Sequence, residues 1–250
     1  MADALVLAAG ETHGRLAQAT GTRFRALIKV GGVSIVERVV GALREARMTQ
    51  RIVVIAPPEV RERVPAGVAE LTVPSGDDLL GNVLRGLDAL DGVGTVLFAH
   101  ADAPLITADS IDDFLQRAEP LRPDLAYAIV PREDVERRFP RGHRTYARLR
   151  DGTFTGTNIV LVDGGFIRRH EKLIREFYEH RKNPLRLAGM LGAGFVLRLL
   201  AGRLTIADLE RRVGQVIGGE ARGIISHYPE LAFDVDKVGD LESIRELLGD

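Results

Sequence analysis

Leu5-Val6-Leu7-Ala8-Ala9-Gly10, followed by Glu11-Thr12-His13-Gly14-Arg15, is the stretch on which the fold turns. The run from Ala4 to Ala9 is apolar without alternation, which predicts a strand covered on both faces at the centre of a parallel sheet. It ends in small residues and a glycine, so the chain leaves the strand through a loop whose backbone can approach a ligand closely. Ser34-Ile35-Val36-Glu37 then has the spacing of a capping box, and Ile35, Val36, Val39, Val40 and Leu43 recur at helical intervals. Strand, loop and helix in that order open a βαβ unit.

Further along, a buried strand is predicted at Ile52 to Ala56, a short strand near Leu71 to Val73 and a fourth run at Thr95 to Ala99, with helices from about Asp78 to Leu90 and from Thr107 onward. The alternation predicts an α/β fold built on a doubly wound, mostly parallel sheet with right-handed crossovers. Beyond Pro131 the pattern changes. A basic loop carries Arg132, Arg137, Arg138, Arg141, Arg144 and Arg148, short strand candidates lie around Tyr146 and at Asn158 to Val162, and helices run from roughly Phe166 to Ile217. Strand candidates at Ile224 to Ser226 and Ala232 to Asp236 and a last helix at Leu241 to Leu248 close the chain. With no low-complexity linker and no repeat, residues 1–250 are read as a single domain with a C-terminal helical insertion at about 166–217.

Composition mainly excludes. The chain has 250 residues, 34 Lys and Arg against 35 Asp and Glu, and no cysteine. The formal net charge of −1 gives no global basic field, so neither nucleic acid nor a membrane surface is expected as a partner. Disulfides, zinc ribbons, iron–sulfur sites and thiol catalysis are excluded with the cysteines. The first residues lack the basic flank and long apolar core of a signal peptide, and a cytoplasmic protein is expected. Leu185 to Ala201 is apolar except for Arg186 and Arg198, but it holds Gly189, Gly192 and Gly194 and falls short of the roughly 20 residues of a spanning helix. A buried or interface helix is expected there, compatible with a homodimer.

In an open parallel sheet, ligands bind beyond the carboxyl ends of the strands. The loop after the first strand offers small residues for close approach and Arg15 for phosphate, and it can also be read as an ordinary βα loop. Asp102 follows the strand Thr95 to Ala99, where a carboxylate suits Mg²⁺ or caps the turn before Thr107. Period-2 geometry sends Asp234 and Asp236 to one side of the chain, where like charges repel unless a cation joins them or solvent covers them. The arginines at 132–148, with Arg181 and Lys182, could clamp an anionic acceptor or form a solvated surface paired with Glu133, Asp134 and Glu136. His100 and His143 are candidate proton carriers by residue type alone, but neither has a carboxylate paired with it in a motif.

Four segments, LVLAAG at 5–10, RALIKVGG at 25–32, Asp102-Ala103-Pro104-Leu105 and FDVDKVGDLE at 233–242, together resemble the nucleotidyltransferases of the GT-A fold, a Rossmann-like architecture, and among them the NTP-transferase family similar to molybdenum-cofactor guanylyltransferase (MobA-like). One branch of that family carries RTY, TGGN, RK(S/N)P and DVDK signatures. This chain resembles it with Arg144-Thr145-Tyr146, Thr155-Gly156-Thr157-Asn158, Arg181-Lys182-Asn183-Pro184 and Asp234-Val235-Asp236-Lys237. The resemblance implies a nucleotide whose base lies near Leu7, Ala8, Ala9, Gly10, Gly76 and Asn82. Its phosphates would run towards Arg15, and Mg²⁺ would sit on Asp102 and on Asp234 or Asp236. It further implies attack by a small phosphorylated or hydroxylated acceptor on the α-phosphorus of an NTP with release of pyrophosphate. Arg15, Arg25, Lys29 and Arg144 are then the catalytic cations, Arg144 facing an anionic acceptor. The chain departs from the family pattern at Thr12 and Gly14, where a second glycine and an arginine are usual. Phe24 and Arg25 likewise stand where proline and lysine are usual, with Lys29 a candidate substitute one helical turn on. Two alternatives stay open: a nucleotide-sugar glycosyltransferase, although His100-Ala101-Asp102 lacks the first aspartate of its metal motif, and a non-catalytic nucleotide-binding protein. A nicotinamide dehydrogenase would need G-x-G-x-x-G, and Gly10 is followed by Glu11 and Thr12.

Overall fold

The computed structural model describes residues 1–65, 67, 69–76, 78–91, 94–140, 142, 144–180, 189 and 191–249, without the side chains of 177–180. The opening run forms strand β1 (Ala2–Leu7). After it come a short hairpin, β2 (Lys29–Val30) and β3 (Val33–Ser34), then β4 (Thr49–Ala56), β5 (Leu71–Pro74) and β6 (Thr95–His100). The second half adds β7 (Leu125–Pro131), β8 (Ala147–Leu149), β9 (Gly152–Asp163) and β10 (Ala221–Ile225). Outside the β2–β3 hairpin, the strands join one sheet in the order β10-β7-β9-β6-β1-β4-β5, with β8 paired to β9. β1 is central, its Leu5 opposite Val53 on one side and Phe98 on the other. β4 and β5 are parallel, as are β7 and β10, whereas β9 runs antiparallel to β6, β7 and β8. The result is the expected α/β fold, mixed but mostly parallel.

Side-chain alternation explains why β1 reads as one continuous apolar run. Ala4 and Val6 face one layer with Ile52, Val54 and Leu97, covered by Val39, Val40 and Leu43 of the helix Ile35–Glu45 and by Ile111 and Phe114 of Ala108–Ala118. Leu5 faces the opposite layer with Val53, Ile55 and Phe98, under Leu80 and Leu87 of the helix Leu79–Ala89 and under Phe166. Fully burying a side chain of this kind contributes roughly 1.5–3 kcal/mol, and both faces of the strand draw on that term. Gly86 lets the helix lie this close: a Cβ there would stand 2.2 Å from Leu5 Cδ1. The capping box read from the sequence is present, with the Ser34 amide donating to Glu37 Oε2 (2.9 Å) and the Glu37 amide to Ser34 Oγ (3.4 Å).

Four expectations are corrected. β1 begins and ends two residues earlier than predicted: Ala8 still donates to Ile55 O (2.9 Å), after which the chain turns into the loop. The strand β7 was not anticipated, because its buried residues are the small Ala126 and Ala128 with Val130. The basic segment is not all loop: Arg132–Arg138 is a helix with Glu133 and Asp134 in its first turn and Arg137 and Arg138 in its last, the arrangement the helix dipole favours. Finally, Ala232 to Asp236 is not a strand. A 3-10 turn covers Pro229–Ala232, and the residues after it run extended outside any ladder.

In the insertion, the helices Ala193–Leu200 and Ile206–Ile217 cover the β8–β9 hairpin through a small cluster of Leu149, Phe154 and Leu204 with Phe195 and Leu199 packed on it. Of the stretch expected to form a buried or interface helix, the described part is not buried. Leu197 is 67% and Leu200 79% exposed, and residues 185–188 and 190 of that stretch lie outside the described residues. Among the described residues no helix is long and apolar enough to cross a membrane.

Candidate functional site

The carboxyl ends of β1, β4 and β6 open onto a cleft of about 280 Å³. Leu7, Ala8, Ala9 and Gly10 form one wall, Gly76 and Asn82 another, and Arg25, His100 and Asp102 also line it. All six residues expected around the base are therefore brought together. Asn82 is buried and joined to Gly76 twice: its Oδ1 accepts from the Gly76 amide (2.6 Å) and its Nδ2 donates to Gly76 O (3.3 Å). Its amide thus fixes the loop that forms the wall.

Thr12 and the Phe24–Arg25 pair, the departures in the first loop, have a shared structural use. The Thr12 amide donates to Arg23 O (2.8 Å) and its buried hydroxyl to the carbonyls of Thr22 and Arg23, while Arg25 N–H donates to Gly10 O (2.9 Å). These bonds zip the loop onto residues 22–25 and lay the Arg25 side chain along Gly10, where a Cβ would come within 3.2 Å of Arg25 Nη2. Two expected cations are not at the cleft. Arg15 is exposed on the helix Gly14–Thr20 and does not line it. Lys29 is not one helical turn beyond Arg25, because Arg25–Leu27 makes a single 3-10 turn before Ile28 becomes extended, leaving Lys29 exposed on β2 beside Glu37.

At the mouth of the cleft, ligand oxygens of Asp102, Asp234 and Asp236 lie within 4.8 Å of one another. The join is a backbone bond, Val235 N–H to Asp102 O (2.9 Å), with Val235 fully buried. Fixing the middle residue of Asp234-Val235-Asp236 turns both carboxylates towards Asp102. Asp240, which the sequence reading missed, steadies this segment: its Oδ2 accepts from the amides of Asp236 (3.1 Å) and Lys237 (2.8 Å). An acidic residue three positions into the last helix was the available signal.

Two arginines neutralise the cluster differently. Arg144, 10% exposed, grips Asp234 through Nη1 to Oδ1 (2.9 Å) and Nη2 to the backbone carbonyl (3.0 Å), and its guanidinium lies 4.3 Å from the centre of the Phe233 ring. It holds a member of the cluster. Arg25 instead bridges two carboxylates through Nη1, to Asp102 Oδ2 (3.3 Å) and to Asp236 Oδ1. Burial pushes the Asp234 carboxyl up to about 6; Arg144 pulls it down, and Asp102 and Asp236 add to the rise.

The donor set fits a hard divalent cation such as Mg²⁺, being all carboxylate, and Asp102 Oδ1 is buried without a hydrogen-bond partner, an acceptor available to it. Of the remaining expectations, Arg132 and Arg137 pair with Glu136 (2.6 Å) and Asp134 (3.0 Å) of their own helix instead of forming a clamp. Arg141, His143 and Arg181 to Pro184 lie outside the described residues.

A family model described as a MobA-like NTP transferase domain matches residues 4–219. A structure described as a hypothetical transferase from Thermus thermophilus is 38% identical, with a TM-score of 0.86 over 96% of this chain and 100% of that one. A CMP:2-keto-3-deoxy-manno-octonic acid synthetase solved with CTP has a TM-score of 0.67 at 12% identity, covering 100% of this chain and 99% of the other, a likeness of fold alone. A 2-C-methyl-D-erythritol 4-phosphate cytidylyltransferase from Streptomyces avermitilis is 30% identical over 117 residues, 43% of this chain. The match spans 45% of that curated relative.

Proposed function

The chain belongs to the MobA-like NTP transferase family, an enzyme family of nucleotidyltransferases, and from that premise we propose that it transfers a nucleoside monophosphate from an NTP to a small phosphorylated or hydroxylated acceptor in a Mg²⁺-dependent reaction. The observation that carries the reading is the convergence of Asp102, Asp234 and Asp236 beside a cleft walled by Ala8, Ala9 and Gly10. The local similarity to a cytidylyltransferase named for a phosphorylated substrate supports an acceptor of that class.

In the reaction an acceptor oxygen forms a bond to the α-phosphorus while the bond from that phosphorus to the bridging oxygen breaks and pyrophosphate leaves. The triphosphate is a polyanion and a phosphorylated acceptor is an anion as well, so catalysis is mainly positioning and charge neutralisation. The small loop residues admit the base and ribose, and Asn82 keeps Gly76 in place against them. Arg25, the cation that lines the cleft, meets the phosphates. Asp102, with Asp234 or Asp236, would hold Mg²⁺, which supplies charge neutralisation for the triphosphate and the leaving group. Arg144 positions Asp234.

The test is a thermal-shift screen of the four NTPs with and without Mg²⁺, since a ligand that binds the native state raises its stability with occupancy. A base-selective shift that needs Mg²⁺ and disappears in Asp102→Ala is expected. A shift indifferent to both metal and mutation would overturn the site. A non-catalytic nucleotide-binding protein is the second reading, favoured by Arg25 in the lysine position; tight NTP binding with no pyrophosphate formed across a broad acceptor panel would support it.

A further inference from the structure

The two arginines of the site are not equivalent, and the difference bears on when a metal can bind. Arg144 is fixed by two bonds to one residue and by the Phe233 ring beneath it. Arg25 is the more exposed, at 25%, and both of its carboxylate contacts run through the single nitrogen Nη1, while the Nε of each arginine is buried with no hydrogen-bond partner. Its guanidinium thus occupies two of the three carboxylates that would ligate a divalent cation, and lies against Gly10 in the same cleft that admits the nucleotide.

We propose that Arg25 is the resident counter-ion of the carboxylate cluster and makes divalent-cation binding conditional on nucleotide. This inference rests on the reading of the cleft as an NTP site. A guanidinium and a divalent cation cannot share Asp102 and Asp236 at these distances, because their mutual repulsion in a partly buried site is strong. A triphosphate offers Arg25 other anionic oxygens, matched to its planar fork of donors. Drawing the guanidinium onto the phosphates frees Asp102 and Asp236 for the metal, so each ligand favours the other, and by linkage the coupling is the same in both directions. The cluster without nucleotide is then a self-neutralised pair that resists the bare ion.

Mn²⁺ titration followed by electron paramagnetic resonance tests this on the full chain, comparing wild type, Arg25→Met and Arg25→Lys, each alone and with α,β-methylene analogues of the four NTPs. Arg25→Met is expected to bind Mn²⁺ alone at least tenfold more tightly than wild type, a gain that misfolding cannot imitate. Arg25→Lys, which keeps the charge, is expected to bind it as weakly as wild type. The effective analogue should tighten Mn²⁺ binding by a larger factor in wild type than in Arg25→Met, and adding Asp102→Asn to Arg25→Met should abolish the gain. Equal Mn²⁺ affinity of wild type and Arg25→Met, or an equal tightening by nucleotide in both, overturns the coupling while leaving the metal site standing. No Mn²⁺ uptake by any of these proteins with any analogue overturns the coupling and the proposed function together.

Discussion

The sheet has two halves built on different terms. In the half formed by β5, β4, β1 and β6, both faces are covered by helices and the residues lining the cleft follow directly from strand ends. In the half formed by β9, β7 and β10, an antiparallel strand enters, the outer hairpin rests on a small satellite cluster, and the helix over it leaves Leu197 and Leu200 in the open. In the first half the helix Leu79–Ala89 packs so closely that a Cβ at Gly86 would stand 2.2 Å from Leu5 Cδ1. The second carries the residues that complete the carboxylate cluster only after the chain returns, through Asp234 and Asp236, to the first half's strand ends.

Breaking the seam between the halves should have the largest effect. Arg144→Met leaves Asp234 without its cation and is expected to lower stability by about 3 kcal/mol, as for removal of one partner of a buried pair. Denaturant unfolding should show a greater loss at pH 8 than at pH 5, where Asp234 is neutral; equal losses would mean that the ion pair is not what holds the seam. Next comes the packed half itself. Gly86→Val drives its side chain into Leu5 and should destabilise by about 2 kcal/mol through overpacking, readable in the same unfolding midpoint. A neutral result would show that the helix Leu79–Ala89 can move away from β1.

The pH response of Asp234 is smaller. Its carboxyl titrates at about 6 in the fold against an ordinary value of 3.8, so the folded state binds the proton more readily than the unfolded one. The stability that protonation confers is complete below the unfolded value and is lost as pH rises through 6, of the order of 1–2 kcal/mol after solvent screening. Asp234→Asn should flatten that part of the pH–stability curve. If Mg²⁺ joins the cluster with the nucleotide, it competes with this proton, so its stabilisation of the nucleotide-bound wild type should grow as pH rises through 6, and a pH-independent Mg²⁺ effect there would remove Asp234 from the metal site. Smallest of all, Leu200→Ser on the outer helix should change stability by less than about 0.5 kcal/mol, since the side chain is 79% exposed. A drop as large as that of Gly86→Val would mean that a partner covers this face.

Much of the first half was legible because its signals are local. An unalternating apolar run marks a doubly covered strand, and Ser34 to Glu37 announces its own helix. The cleft residues were expected together through the family resemblance, because glycine and alanine at a strand end also suit an ordinary βα loop. In the second half the alternation of β7 is muted by alanine, and nothing local fixes the direction of β9. The cations failed for a related reason. Arg15 and Lys29 are close in sequence to the loop, but one sits on an exposed helix and the other on a hairpin that a single 3-10 turn sets out of helical register. Arg144 is read from the sequence as facing an acceptor, and the structure pairs it with Asp234, ninety positions away.

By itself the sequence determined the layered α/β architecture, which follows from periodicity, and it offered Asp102, Asp234 and Asp236 as separate carboxylates that only the family resemblance joined. Only the tertiary structure decided which charges meet. One backbone bond from Val235 to Asp102 sets the cluster, and the zipper through Thr12 delivers Arg25 to it. Charge pairing acts over a few ångströms between residues far apart in the chain, and no local pattern encodes that distance.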